Sequence, residues 1–166
     1  ACLVGSEMCI RDSSYMDNVC ATFRKYAEMR HVRFVYESNF NYLNVWFDSD
    51  KMGSILKNIL SNALKYTPEE GSVCISACEE GNTWSIEVKD TGIGIPSCEQ
   101  KKLFRNCFRG SNVVNLKVTG SGIGLMLVYK LVKLHKGKIQ IQSTEHQGTC
   151  VQVTFPKGNS LSLIHI

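Results

Sequence analysis

No apolar stretch of this chain approaches the roughly 20 residues that a membrane-spanning helix needs, so the anchor of any membrane-bound parent is expected outside it. Runs of lysine and arginine are also missing. The formal charge of +4 therefore admits an anionic ligand or partner without calling for nucleic acid. There is no internal repeat and no low-complexity tract. Eight cysteines are present, but none falls in a CxxC or a Cys/His ligand spacing. Cys74 and Cys78, the closest pair, would share a face of a strand at a separation too long for a disulfide. Reduced structural thiols in a cytosolic compartment are the expectation. What remains is 166 residues, 43% hydrophobic and 20% charged, enough for one soluble domain with a proper core and too few for two.

The ends read differently from the middle. "ACLVGSEMCIRDS" and "GNSLSLIHI" carry no periodicity, caps or turn logic continuous with their neighbours. Residues 1–13 and 158–166 are expected to be non-native flanks, as adapter sequence at the edges of an assembled read would be, and 14–157 the domain.

Within 14–157, Ser14 to Asp17 fits an S-x-x-D cap opening a helix with Val19, Phe23, Tyr26 and Ala27 on one side. Strands are expected at 31–38 and 43–48, followed by a helix capped by Asp48 or Asp50, running to about Tyr66 and stopped by Pro68 and Gly71. Strands 72–78 and 83–90 make a hairpin around a Glu-Glu-Gly-Asn turn. Strands 138–143 and 149–156 make another around His146-Gln147-Gly148. Between the hairpins lie a glycine-rich loop, a short helix near 98–105, a polar loop over 106–121 and a helix over 122–136, with Gly137 placed as its C-cap. Hairpins interrupted by single helices predict an α+β fold: a two-layer sandwich whose mixed, mostly antiparallel sheet is covered by helices on one face.

In the helix running to about Tyr66, Met52, Ile55, Leu56, Ile59, Leu60, Ala63 and Leu64 form a broad apolar face. Asn58, Asn62, Lys65 and Tyr66 fall at i, i+4, i+7 and i+8 on one adjoining stripe. That stripe is either a solvated boundary or a polar site offering amide oxygens to a hard cation and a lysine to an anion. "DTGIGIP" (90–96) adds a second feature. Asp90 shares parity with Trp84, Ile86 and Val88 and so points to the core side, where a carboxylate is costly without a partner. With the bare backbone of Gly92 and Gly94 beside it, it suits an exocyclic amine such as that of adenine. A third feature, "GSGIGL" (120–125), brings Gly120, Gly122 and Gly124 to the start of a helix, where backbone amides favour a phosphate chain.

In order and spacing, "NILSNALKYT", "DTGIGIP", "LFRNCFRG" and "GSGIGL" resemble the N, G1, F and G2 boxes of the GHKL ATP-binding superfamily. Within it, residues 14–157 are similar to the catalytic and ATP-binding domain of sensor histidine kinases, including those of hybrid two-component systems. The resemblance implies that Asn62, with Asn58, ligates Mg²⁺ on the phosphates of ATP, that Lys65 meets a phosphate oxygen, and that Tyr66 packs on the adenine or ribose. It implies that Asp90, with Gly92, Gly94 and Thr149, takes the base, and that Gly120, Gly122, Gly124 and Leu125 line the triphosphate. Phe104 and Phe108 would anchor a mobile lid over 106–121, with Arg109 as its cation. Asn58 stands where the hydrolysing branches of the superfamily carry a glutamate. An amide is no general base at neutral pH, so transfer is expected in place of hydrolysis.

The implied acceptor is a histidine on a separate dimerisation domain of the same, homodimeric kinase. A response-regulator receiver domain would act downstream, and this cytoplasmic domain would touch neither membrane nor nucleic acid. The acceptor histidine is absent here: His31, His135, His146 and His165 have no H-E-x-x-T-P-like context and are read as structural or surface residues. Two alternatives stay open, an anti-sigma-type serine kinase and a nucleotide-binding regulatory module without catalysis.

Overall fold

The structure, a computed structural model, describes residues 7–10, 14–41, 43, 45–105, 111 and 122–157, with backbone alone at 7–10 and 46. Its elements run β1 (Glu7–Ile10), α1 (Ser14–Met29), β2 (Arg33–Ser38), β3 (Val45–Asp48), α2 (Ser49–Tyr66), β4 (Ser72–Glu80), β5 (Thr83–Asp90), α3 (Ser97–Gln100), α4 (Gly124–Leu134), β6 (Lys138–Thr144) and β7 (Gly148–Pro156). Five strands form one sheet in the order β2-β4-β5-β7-β6, parallel only between β2 and β4. This is the expected mixed, mostly antiparallel sheet.

Alternation along β4, β5 and β7 buries Val73, Ile75 and Ala77, then Trp84, Ile86 and Val88, then Val151, Val153 and Phe155. All of these but Ala77 meet Ile55, Leu56, Ile59, Leu60 and Leu64 of α2 and Val128 and Val132 of α4 in one core. Period 2 on the strands and period 3.6 on the helices thus converge on a single apolar layer. α2 begins where Asp48 Oδ1 accepts from the N–H groups of Asp50 (3.0 Å) and Lys51 (3.1 Å). It ends at Thr67, extended before Pro68 as the proline ring demands, with its N–H and hydroxyl both donating to Ala63 O.

Tyr26 keeps its expected side of α1 but lies at the edge of it, and four other local expectations are corrected. Tyr26 is 44% exposed, because it lies roughly 100° around α1 from the buried Met16, Cys20 and Ala27. His31 is no strand residue: it takes a left-handed turn (φ 53°), and the Val32 N–H closes the end of α1 on Ala27 O. The first hairpin turn is Gly81-Asn82 alone, with Gly81 at φ 54°, since Glu79 and Glu80 remain paired in β4. The short helix expected near 98–105 is only Ser97–Gln100. After α4 the left-handed position is Lys136 (φ 55°). Gly137 is needed instead because a Cβ there would sit 2.8 Å from Thr154 O and from the Phe155 ring.

β3 stands apart from the main sheet and pairs antiparallel with β1, a strand inside the segment left out of the expected fold. Among the described residues, no helix is long and apolar enough to cross a membrane.

Candidate functional site

Asp90 ends β5 on the helix-facing side, 8% exposed. Its Oδ1 accepts from the Gly92 N–H at 2.8 Å and the Thr149 N–H at 3.2 Å. Burial pushes its pKa above the usual carboxylate range, and these two N–H groups pull it back only in part. The strand register sets Val73, Asp90, Thr149 and Ser143 opposite one another across β4, β5, β7 and β6, in one row on the covered face.

The loop after Asp90 is held from both sides. Ile93 N–H donates to Tyr66 O at the end of α2 (3.2 Å), and Ile93 O accepts from His146 N–H in the β6–β7 turn (2.7 Å). Gly94 is left-handed (φ 66°), and a Cβ on it would lie 2.1 Å from Thr144 O, so both conformation and space require glycine. Asp90, Gly92, Gly94 and Thr149 are therefore brought together beside the last turn of α2.

Across α2, Gly124 opens α4 against the amide stripe. A Cβ there would stand 2.9 Å from Asn58 Oδ1 and 3.7 Å from Asn62 Nδ2. Asn58 Nδ2 donates back to Ser54 O at 2.7 Å, which turns its oxygen outward toward α4. Lys65 Nζ lies 5.0 Å from the centre of the Tyr66 ring, within cation–π range. Asn58, Asn62, Lys65 and Tyr66 are all half-buried, and the glycine start of α4 packs onto the first two of them. Gly122 is left-handed (φ 72°), and Leu125 is half-buried in the first turn of α4. Phe104 stacks on Tyr129 of α4, centroids 5.1 Å apart. Phe108, Arg109, Gly120 and the 106–121 loop apart from Ser111 lie outside the described residues, as do His165 and the 158–166 flank.

Sequence reasoning passed over Tyr129, the platform for Phe104, and Ser143, whose hydroxyl meets the loop, the turn and Thr149. Ser143 had a signal. It continues the row of Ile139 and Ile141 on β6, as Asp90 continues that of Ile86 and Val88. Of the histidines, His135 is buried with Nδ1 2.8 Å from Leu131 O, while His31 and His146 are exposed turn residues.

Residues 47–159 match the family described as histidine kinase-, DNA gyrase B- and HSP90-like ATPases. The chain belongs to that family. This ATPase-family domain is 40% identical over 129 residues to the sensor histidine kinase WalK of Bacillus subtilis (strain 168), covering 76% of the chain and 21% of WalK. It thus spans about a fifth of that relative's length. Its fold is that of the catalytic domain of histidine kinase ThkA (TM-score 0.77, 24% identity, 91% of this chain and 94% of that one). Full-length ShkA in complex with AMPPNP also contains it (TM-score 0.78, 21% identity, 94% of this chain and 32% of that one).

Proposed function

We propose that this domain binds Mg-ATP and donates the γ-phosphoryl group to a histidine presented by a separate dimerisation domain, as part of a two-component kinase longer than this chain. The observation that carries the reading is the pairing of a buried acceptor with a phosphate-type helix start on the two sides of α2. Asp90 is fixed through one oxygen by two N–H groups, and Gly124 backs onto Asn58 and Asn62.

In this reading Asp90 accepts from the adenine amino group, and Tyr66 packs on the adenine or ribose. Gly120, Gly122, Gly124 and Leu125 line the phosphates, and Lys65 leaves the Tyr66 ring to meet one of them. Asn62 and Asn58 fit a hard cation. Both offer amide oxygens, and that of Asn58 is already turned away from its own helix by the bond to Ser54 O. A magnesium ion bound there would neutralise phosphate charge. The protein's own part is positioning and the exclusion of an activated water, because Asn58 cannot take a proton from one. Phe104, Phe108 and Arg109 belong to the lid side of the site. The acceptor partner, the downstream receiver domain and a cytosolic location beneath a membrane-anchored sensor follow from the same reading, with 14–157 as the domain.

Labelled ATP, this chain and the cognate dimerisation domain test it. Label on the partner's histidine is the expected result. Label on serine would replace the reading with the serine kinase, and binding without transfer would replace it with the regulatory module.

A further inference from the structure

Ser143 Oγ touches three groups. It accepts from the Ile95 N–H at 2.8 Å, donates to Gly148 O at 3.0 Å and lies 2.9 Å from Thr149 Oγ1. A hydroxyl has one proton and two lone pairs. The Gly148 carbonyl can only accept, so it takes the Ser143 proton. The Ile95 N–H takes one lone pair. The remaining lone pair faces Thr149, and that contact is a hydrogen bond only if Thr149 supplies its own proton.

We infer that Ser143 fixes the polarity of the Thr149 hydroxyl, holding it as an acceptor toward the base, and thereby sets the preference of the site for an amino-purine over an oxo-purine. The inference rests on the proposal above that Asp90 and Thr149 receive the base. These two residues are directly paired across β5 and β7. An ionised Asp90 can only accept, and Thr149, with its proton spent on Ser143, can only accept as well. Two neighbouring acceptors suit the two N–H bonds of an exocyclic amine and oppose a carbonyl oxygen in the same place. Without the serine hydroxyl, Thr149 turns freely and can donate, which is what an oxo-purine needs.

Gln100 reinforces the arrangement. Its Nε2 donates to Ser143 O at 2.7 Å and to Ile95 O at 3.0 Å, using both amide protons to bind α3 and the loop to the same strand end. Ser143 is thus a positioning residue that acts on the base through Thr149.

The test compares dissociation constants for Mg-ATP and Mg-ITP, which carry amino and oxo groups at the same ring position, by calorimetry. In Ser143→Ala the preference for ATP should narrow roughly tenfold, the effect of about one hydrogen bond. Ser143→Thr, which keeps the hydroxyl, should restore it. If the alanine variant loses its folded signal, Ser143→Cys keeps the volume with a weak hydrogen-bonding group and should narrow the preference likewise. A purely structural serine would weaken both nucleotides alike. An unchanged ATP-to-ITP ratio in a folded variant, beside a wild type that binds ATP, overturns the inference alone. A folded wild type that binds no ATP overturns the proposed function and this inference with it.

Discussion

Replacing Asp90 with asparagine should push two measurements in opposite directions. In the nucleotide-free protein an asparagine oxygen can keep the bonds from the Gly92 and Thr149 N–H groups while carrying no charge. Burial holds the native carboxyl above its ordinary pKa, so the folded state binds its proton more tightly than the unfolded chain does. The stability this gives is complete below the ordinary carboxylate pKa and is lost as pH rises through the raised folded value. Asp90→Asn has no such loss, so near neutral pH the empty variant should melt at the wild-type temperature or above it.

Nucleotide binding should suffer. With Oδ1 held by the two N–H groups, the new NH₂ faces the adenine amino group. A charge-assisted hydrogen bond worth roughly 1.5–3 kcal/mol is lost, and an unmatched buried donor adds about 1–3 kcal/mol. The sum is on the order of 3–5 kcal/mol, or at least about 100-fold in affinity. At a nucleotide concentration near 100 times the wild-type Kd, ligand stabilisation falls from about 2.7 kcal/mol to about 0.4 kcal/mol. The nucleotide-dependent rise in Tm should therefore drop from roughly 5–11 °C to about 1 °C. Differential scanning fluorimetry with and without Mg-ATP reads both effects. A variant with the full nucleotide-dependent rise would refute the assignment of Asp90 to the base.

Asn58→Glu should introduce slow ATP hydrolysis, because a carboxylate at the turn now facing Gly124 can take a proton from water; phosphate release no greater than wild type would refute it. Asp48→Ala should cost about 1–2 kcal/mol of stability in urea unfolding through loss of the α2 cap. Burial alone would raise the Asp48 pKa, but the bonds from Lys51 and Asp50 outweigh it and hold the carboxyl below its usual range. The stability lost by the alanine variant should therefore be present in wild type above the unfolded carboxylate pKa and fade as pH falls through the lowered folded value. Alkylation followed by mass mapping should label exposed Cys78 and Cys98 first and Cys20 last among the described cysteines, since burial pushes the Cys20 thiol up to about 12. Early labelling of Cys20 would contradict its burial.

α2 was legible because its cap, its apolar period and its stop all lie within 48–68, and each acts locally. Asp90 was legible because strand parity alone carries it to the core side. Ser143 obeys the same parity, but its meaning depends on Ile95, 48 residues away, and no local rule brings those two together. The exchange of roles between Lys136 and Gly137 was hidden for a similar reason. The demand on Gly137 comes from Phe155 and Thr154 on a strand that follows later. β3 read correctly as a strand, whereas its partner β1 lay in a segment whose composition gave no pattern to pair with.

The fit of Gly124 against Asn58 has a consequence for timing. A Cβ at the opening of α4 would stand 2.9 Å from the oxygen of an amide whose nitrogen is itself tethered at 2.7 Å to its own helix. An inward shift of Gly124 would press on that amide. Arrival of the nucleotide's tail and realignment of the amide would then be a single mechanical event, visible as one change in the side-chain resonances of Asn58.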